Sequence, residues 1–135
     1  MIGKAFLVLL AFYLTQGLDR LFSWQTLQRP IITGFVTGLL LGDVKTGIIM
    51  GGSLEAIFMG ISAIGGEVPA DANAATIISV AMTILTGSNT ETGLAIAMPI
   101  GTLMGSVNTI LKPFYASLAP FWEKEAAKGD SKGFT

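Results

Sequence analysis

Residues 38–55 read GLLLGDVKTGIIMGGSLE, and they are the most informative part of this sequence. It places Asp43, Lys45 and Glu55 inside an apolar run that is studded with glycine. A helix needs about 20 apolar residues to cross the hydrocarbon core of a bilayer, and the charges interrupt the run well short of that length. Because charged side chains at that depth must face protein or water, the stretch predicts a polar site that broken helices build inside a membrane, as in many transporters.

The composition of the whole chain is that of a membrane protein. Of its 135 residues, 51% are hydrophobic and 13% are charged, and the mean hydropathy is +0.67. Six charged residues crowd into the last 13 positions. We therefore predict an all-α integral membrane protein, with a membrane-embedded region over residues 1–122 and a polar tail over residues 123–135. The net charge of −1 and the lack of a basic cluster give no reason to expect a nucleic-acid partner.

The chain contains neither His nor Cys. It therefore lacks the imidazole that most often serves as a general base, metal ligand or phosphoryl acceptor, and it lacks a thiol nucleophile. We predict no catalytic residue, no metal site and no cofactor in this chain. Any group-transfer chemistry is expected to come from a partner.

Three apolar segments outside the opening stretch complete the layout. Residues 5–14 have the length of a signal-peptide core but lack an A-x-A-like cleavage site, so we predict a retained membrane or interfacial helix. Residues 72–90 and 92–111 carry no charge and are long enough for two full spans, the second with a kink at Pro99. An apolar stripe after that span predicts an amphipathic segment at the membrane interface, formed by Phe114, Tyr115, Leu118, Phe121 and Trp122.

The charge-free intervals in the first half of the chain are too short for full spans. Either longer helices face their charges toward a protein interior, or half-helices enter the membrane and turn back, and the glycine density favours the second arrangement. We predict a helix near residues 31–42, a hairpin or broken helix near residues 46–64 and a loop over residues 65–71. Asp71 is the predicted N-cap of a helix that starts at Ala72.

Glycines recur at intervals of four residues, which is typical of helices whose backbones approach closely in a membrane. The spaced glycines are Gly34, Gly38 and Gly42, then Gly47 and Gly51, and later Gly101 and Gly105. We interpret most of them as packing positions. The Gly51–Gly52 pair next to Ser53 and Glu55 could instead open the backbone for ligand contact.

The charges within the apolar region differ in meaning. Asp43 and Lys45 are two positions apart, so they do not stack along a helix, and we predict that they shape a turn. Glu55 has no charge within nine residues on either side, which favours a functional carboxylate, the alternative being a carboxylate that ties an internal hydrogen-bond network. Carboxylates and amides near the next helix start, at Glu67, Asp71 and Asn73, match the hydroxyl recognition that a sugar requires.

The run from Gly38 to Glu55 is similar to the signature of the C subunit (EIIC) of the mannose/sorbose family of the bacterial phosphotransferase system. Every fixed position of that signature is met, at Gly38, Gly42, Asp43, Gly47, Ile48, Ile49, Gly51, Gly52, Ser53, Leu54 and Glu55. The similarity extends over most of residues 28–110, through Arg29-Pro30 upstream and residues 64–65, 71 and 75–79 downstream.

The resemblance implies a sugar-translocating, non-catalytic membrane subunit of a phosphoenolpyruvate-dependent sugar phosphotransferase system, multi-pass in a bacterial plasma membrane. Implied partners are a membrane EIID subunit, a cytoplasmic EIIB subunit that carries a phosphohistidine, an EIIA subunit and further copies in an oligomer. Implied sugar contacts are Gln28, Glu55, Gly66, Glu67, Asp71 and Asn73. Glu67 departs from the small residue of mannose-type members, so the sugar need not be mannose. The chain corresponds to the first of two inverted repeats, and alone it is not expected to transport.

Two interpretations from other classes remain open at this stage. A glycine-rich helix with one intramembrane carboxylate also suits an ion-translocating rotor or channel subunit, although glycine spacing of four and several loop charges fit that role poorly. The chain could also be a structural membrane subunit whose partner holds the site.

Overall fold

The computed structural model describes residues 2–22, 26–61 and 69–127, and all regular secondary structure in these ranges is helical. The elements in chain order are α1 (Ile2–Phe12), a π-helical segment (Tyr13–Gly17), α2 (Leu18–Phe22), α3 (Pro30–Leu41), α4 (Val44–Phe58), α5 (Ala72–Thr86) and α6 (Thr90–Ala127). The all-α prediction is confirmed for these ranges, as is the helix predicted near residues 31–42.

The turn between α3 and α4 is built by Gly42 and Asp43. Gly42 ends α3 with a left-handed φ of 86°, which glycine adopts without steric cost. Asp43 begins α4, and its carboxylate accepts hydrogen bonds from the Thr46 backbone N–H at 3.0 Å and the Thr46 hydroxyl at 2.6 Å. These two bonds fix the first turn of α4. The prediction that Asp43 shapes a turn is confirmed, and Lys45 lies exposed in the first turn of α4.

The helix α4 runs without a break from Val44 to Phe58. The predicted hairpin or broken helix near residues 46–64 is therefore wrong over that range, while residues 62–64 lie outside the described residues. The backbone also stays helical at Gly51 and Gly52, so the predicted opening there is wrong. Glycine lowers helix propensity by about 1 kcal/mol relative to alanine, and tertiary packing against a neighbouring helix outweighs that loss.

The packing that stabilises α4 is a backbone-to-backbone contact with α3. A Cβ built on Gly34 would lie 2.7 Å from both the Gly47 carbonyl oxygen and the Gly51 Cα, and one built on Gly38 would lie 2.8 Å from the Gly47 Cα. Side chains cannot occupy such positions, so the predicted close approach at the spaced glycines is confirmed here. Gly42 is the exception, because nothing lies within 4 Å of its would-be Cβ and its role is the turn.

The predicted full span over residues 72–90 is wrong. The helix α5 has 15 residues and ends at Gly87, which has a φ of 65° and donates its N–H to the Thr83 carbonyl. At 1.5 Å per residue such a helix is about 22 Å long, which is short of a hydrocarbon core of about 30 Å. Two glycines of α6 lie close to this part of the chain, since a Cβ on Gly101 would meet the Ala75 side chain at 3.2 Å and one on Gly105 would meet the Pro69 carbonyl oxygen at 3.0 Å.

The helix α6 is the one described helix that is long and apolar enough to cross a bilayer, over Thr90–Lys124. It continues through Pro99 as a helix, and the kink expected there stays a prediction. The aromatic stripe beyond it belongs to this same helix and is not a separate segment. Within the C-terminal unit, Ser106–Thr135, Phe114 packs edge to face with Tyr115, and Phe121 packs in the same way with Trp122.

The N-terminal unit, Met1–Gly105, contains the core that positions the candidate site. In this unit α3 packs against α4 and α5, and α1 packs against α3 and α5. An apolar cluster joins α4, α5 and α6, and it comprises Leu54, Phe58, Ala70, Ala75 and Ala97. Buried hydroxyls on α3 and α5, such as those of Thr37 and Thr83, donate to carbonyls of their own helices, so burying them leaves no orphan donor.

Candidate functional site

Glu55 lies on α4 and its carboxylate reaches the beginning of α3. One oxygen, Oε1, accepts a hydrogen bond from Arg29 Nη1 at 2.8 Å, and the other, Oε2, accepts the backbone N–H of Ile31 at 3.3 Å. The Glu55 side chain is 23% exposed and the Arg29 side chain is 59% exposed. The carboxylate therefore forms an ion pair that opens onto the surface of the chain, and it also receives one of the backbone N–H groups that a helix start leaves without an intrahelical acceptor.

Gln28 lies next to this ion pair and is held by a buried carboxylate. Asp19, only 4% exposed, accepts the Gln28 side-chain amide on Oδ2 at 3.0 Å and the Leu27 backbone N–H on Oδ1 at 2.8 Å. The structure thus brings Gln28 and Glu55, two of the predicted site residues, to the same end of α3. Sequence reasoning did not single out Asp19, although it is the first charge after a long uncharged stretch.

Asp71 and Asn73 form the second part of the candidate site, at the beginning of α5. The Asp71 carboxylate accepts the Ala74 N–H at 2.9 Å, and the Asp71 N–H donates to the Gly101 carbonyl at 2.9 Å. The N-cap prediction is confirmed, and it ties the beginning of α5 to α6. Asn73 is 4% exposed, and neither its Nδ2 nor its Oδ1 has a hydrogen-bond partner in the part of the chain that the structure describes.

The two parts of the site flank one apolar cluster. Leu54, the neighbour of Glu55, packs in the same cluster as Ala70 and Ala75, which bracket Asp71 and Asn73 in sequence. The helices α4 and α5 are in direct contact. The cluster therefore fixes the backbones that carry both groups of polar side chains.

The other predicted residues either lie outside the described residues or take no part in the contacts described above. Gly66 and Glu67 lie outside the described residues, so their sugar contacts stay predictions. Ser53 donates its hydroxyl to the Ile49 carbonyl at 2.9 Å within α4. A Cβ on Gly52 would meet nothing within 4 Å, so this glycine faces open space.

Arg29 is the ion-pair partner of Glu55 that sequence reasoning missed. The signal was available, because a carboxylate in apolar surroundings requires a countercharge, and Arg29 stands directly before the proline that opens α3. Pairing across 26 residues cannot be read from the sequence spacing alone.

Together these groups offer complementary hydrogen-bonding chemistry. The Arg29 guanidinium supplies donors, the Glu55 carboxylate supplies acceptors, and the Asn73 amide supplies both. A polyhydroxylated ligand presents donor and acceptor oxygens in the same small volume, so such a set suits a sugar.

Sequence comparison finds similar proteins among the IIC components of bacterial sugar permeases and PTS systems. The chain is 43% identical to the mannose-specific EIIC component of the PTS system of Escherichia coli K12 over 83 residues, which are 62% of this chain and 31% of that protein. It is 30% identical to the N-acetylgalactosamine permease IIC component 1 of the same organism over 132 residues, which are 96% of this chain and 48% of that protein.

A solved structure agrees with these relatives. The cryo-EM structure of the mannose transporter ManYZ in complex with the microcin MceA superposes with a TM-score of 0.86 at 29% sequence identity, covering 99% of this chain and 54% of that chain. The chain thus spans about half the length of this neighbour. The family model described as the sorbose-specific IIC component of the PTS system, EII-Sor, matches residues 2–135, and the chain belongs to that family.

Proposed function

We propose that this chain provides sugar-binding elements of a sugar-translocating membrane subunit in a phosphoenolpyruvate-dependent phosphotransferase system. Family membership supports the class of function. The observation in the structure that carries the proposal is the buried, unpartnered amide of Asn73 at the start of α5.

Burial of that amide requires an explanation. A buried polar group without a partner costs about 1 to 3 kcal/mol, and native proteins keep few of them. Asn73 presents an orphan donor and an orphan acceptor side by side. A sugar hydroxyl both donates and accepts, so neighbouring hydroxyls of one sugar would satisfy both atoms.

Further proposed sugar contacts come from helices that pack against α5 and from the beginning of α5 itself. Glu55 with its Arg29 partner offers a charged acceptor and donor at the end of α3, and Asp71 keeps a carboxylate two residues before Asn73. Gly66 and Glu67 complete the proposed set, and Gln28, for which the resemblance also implies a sugar contact, precedes Arg29 in the chain. The names of the relatives cite mannose, sorbose and N-acetylgalactosamine, and the candidate substrate is a hexose or related sugar of this kind.

The surface of the N-terminal unit supports a membrane location. Large apolar side chains are exposed along α1, namely Ile2, Phe6 and Leu9, and at Tyr13, which begins the π-helical segment. Others are exposed along α3, namely Ile31, Phe35 and Leu39. Both sets have helical spacing, so each helix presents an apolar stripe away from the core. We place residues 1–122 in a bacterial plasma membrane as one repeat of a multi-pass protein, with α6 as a span and the shorter helices reaching part of the way.

The phosphoryl chemistry is assigned to partners. Without His or Cys the chain has neither an imidazole to accept a phosphoryl group nor a thiol nucleophile, so we assign it the non-catalytic permease part of the complex. The proposed partners are the membrane EIID subunit, the phosphohistidine-bearing EIIB subunit, EIIA, the second half of an EIIC subunit and further copies in an oligomer. No comparison favours the ion-translocating alternative, and the ion pair of Glu55 with Arg29 opposes it, because a paired carboxylate is a poor ion carrier.

The test is sugar binding to the chain in lipid nanodiscs prepared from its own bacterial membrane, with any PTS subunit that copurifies. D-mannose, L-sorbose and N-acetyl-D-galactosamine are titrated against wild type, Asn73→Leu, Asn73→Ala and Asn108→Leu. Leucine keeps the branched shape of asparagine without its polar atoms, alanine covers the case in which leucine does not fit, and Asn108 is an exposed control on α6.

At least one sugar is expected to bind, with affinity lowered by about tenfold or more in both Asn73 variants, since each lost hydrogen bond is worth about 1 kcal/mol. The Asn108 variant is expected to keep wild-type affinity. Binding of none of the three sugars would refute the assigned substrate class, and full affinity in both Asn73 variants would remove Asn73 from the site.

A further inference from the structure

We infer that Asp19 and Gln28 are a positioning pair, which holds the start of α3 so that Arg29 and the Ile31 N–H meet Glu55. The inference rests on the proposed function only in taking Glu55 as a sugar contact. It gives Gln28 a role different from the direct sugar contact that the family resemblance implies.

The first step is the geometry at Asp19. Its two carboxylate oxygens have different partners, the Leu27 backbone N–H at 2.8 Å and the Gln28 Nε2 at 3.0 Å. One bond fixes the backbone and the other fixes the next side chain, so residues 27–28 are held at two points. Asp19 is 4% exposed, and a buried carboxylate is tolerated where hydrogen bonds replace its hydration.

The second step is the short path from Gln28 to Glu55. The Arg29 N–H donates to the Thr26 carbonyl at 3.4 Å, and the Arg29 carbonyl accepts the N–H groups of Ile32 and Thr33, both at 2.9 Å. Pro30 comes next, with its φ fixed by the ring. The backbone around Arg29 is therefore closely constrained, and a shift at residues 27–28 is passed to Arg29 and Ile31.

The third step is that Glu55 contacts both sides of this junction. It bonds the Arg29 side chain, before Pro30, and the Ile31 backbone, after Pro30. The segment 27–31 thus lies between two carboxylates, Asp19 at one end and Glu55 at the other. Loosening the Asp19 end is expected to weaken both bonds at the Glu55 end.

The element that carries Asp19 is itself unusual. The π-helical segment Tyr13–Gly17 ends two residues before Asp19. Each extra residue in a helical turn rotates the downstream residues by about 100° relative to an α-helix, and π-helical segments are frequent at functional sites. The π-helical segment thereby determines the direction in which the α2 residue Asp19 points.

Exchange of donor and acceptor provides a sharp test. Gln28→Glu places a second carboxylate against Asp19 and breaks the side-chain bond. Asp19→Asn alone is mild, because the Gln28 amide can turn and present its oxygen. In Asp19→Asn/Gln28→Glu the asparagine donates to the glutamate, so the bond is restored with donor and acceptor exchanged.

The sugar-free readout is hydrogen exchange of the Ile31 amide in nanodiscs. Gln28→Glu and Asp19→Ala are expected to speed this exchange by about fivefold or more, as loss of a bond worth about 1 kcal/mol implies, and the double variant is expected to recover protection. Asn108→Asp, the same amide-to-acid change on the exposed part of α6, is expected to leave it unchanged. Unchanged exchange in Gln28→Glu and Asp19→Ala, or a double variant no better protected than Gln28→Glu, would overturn the inference.

Titration of wild type and the same four variants with D-mannose, L-sorbose and N-acetyl-D-galactosamine separates positioning from contact. Recovery of sugar affinity in the double variant supports a positioning role. Recovered Ile31 protection without recovered affinity shows that Gln28 touches the sugar directly, and it refutes this assignment of Gln28. If no sugar binds, the proposed function fails, and the Ile31 exchange still decides whether Asp19 and Gln28 hold the junction.

Discussion

Replacing Gly47 with alanine tests whether contact between the backbones of α3 and α4 holds this part of the fold. A Cβ at Gly47 would lie 2.8 Å from the Gly38 Cα, 3.1 Å from the Gly38 nitrogen and against the Gly34 carbonyl oxygen. All three neighbours are backbone atoms of α3. Since they cannot rotate aside like a side chain, the whole helix must move.

The size of the effect can be worked out from these contacts. Ordinary van der Waals contact begins at 3.4 Å, so α3 must retreat by at least 0.6 Å from its present 2.8 Å approach. Overpacking of this kind costs about 1 to 3 kcal/mol, and the better helix propensity of alanine returns only about 1 kcal/mol. Because the obstruction is rigid backbone, we expect overpacking to cost about 3 kcal/mol. After the gain of about 1 kcal/mol in helix propensity, the free energy of unfolding should fall by about 2 kcal/mol.

The matched control is Gly52→Ala in the same helix. A Cβ there meets nothing within 4 Å, so only the propensity gain of about 0.5 to 1 kcal/mol remains. Reversible unfolding of both variants in mixed micelles, monitored by circular dichroism, measures the difference, which we expect to be about 3 kcal/mol. If Gly47→Ala is as stable as Gly52→Ala, the backbone contact does not limit the packing and the reasoning is refuted.

Three further predictions use sugar affinity or the free energy of unfolding. In Gly51→Ala the new Cβ would lie 2.9 Å from the carbonyl oxygen of Pro30, the first residue of α3. This variant should therefore disturb Glu55 and lower sugar affinity, whereas Gly52→Ala should keep wild-type affinity. Equal sugar affinities of the two variants would contradict this prediction. Gly87→Ala forces a left-handed φ of 65° on a residue with a side chain and should cost about 1 kcal/mol in unfolding free energy, whereas no loss would argue against the positive φ. Asp43→Ala removes the carboxylate that accepts both Thr46 hydrogen bonds at the beginning of α4, so it should cost about 1 kcal/mol in unfolding free energy. Wild-type stability of this variant would contradict the cap.

The sequence predicted local structure best where a single residue determines it. Asp71 was placed correctly as the N-cap of α5, and Asp43 correctly in a turn, because side-chain capping depends on a few neighbouring residues. The end of α5 was missed, because the uncharged run continues to residue 90. Hydropathy does not report the positive φ of Gly87 that ends the helix. The continuity of α4 was missed for the opposite reason, since interior glycines indicate breaks until the partner helix that needs them is known.

The candidate site was predictable in its residues and not in its connections. An isolated carboxylate in an apolar run marked Glu55 as important, but the pairing with Arg29 depends on how α3 and α4 fold onto each other. The same holds for Asp19, whose partners lie eight and nine residues away across a turn. Such contacts are products of tertiary structure, and no local pattern encodes them.

The glycines of α4 and its carboxylate are one structural device. Gly47, Gly51 and Glu55 are spaced by four, so they lie on one face of α4, and that face meets α3. Along this face Gly47 faces Gly38, Gly51 approaches the first residues of α3, and Glu55 comes level with the point where α3 begins. Glycine is required where the two backbones are in contact. A carboxylate is favoured where α3 begins, because the first turn of a helix leaves N–H groups without an acceptor. Residues 38–55 thus serve both packing and the candidate site, because the close approach of α3 and α4 brings Glu55 within hydrogen-bonding distance of Arg29. A variant that separates the two helices should therefore disrupt the site although no polar residue is changed.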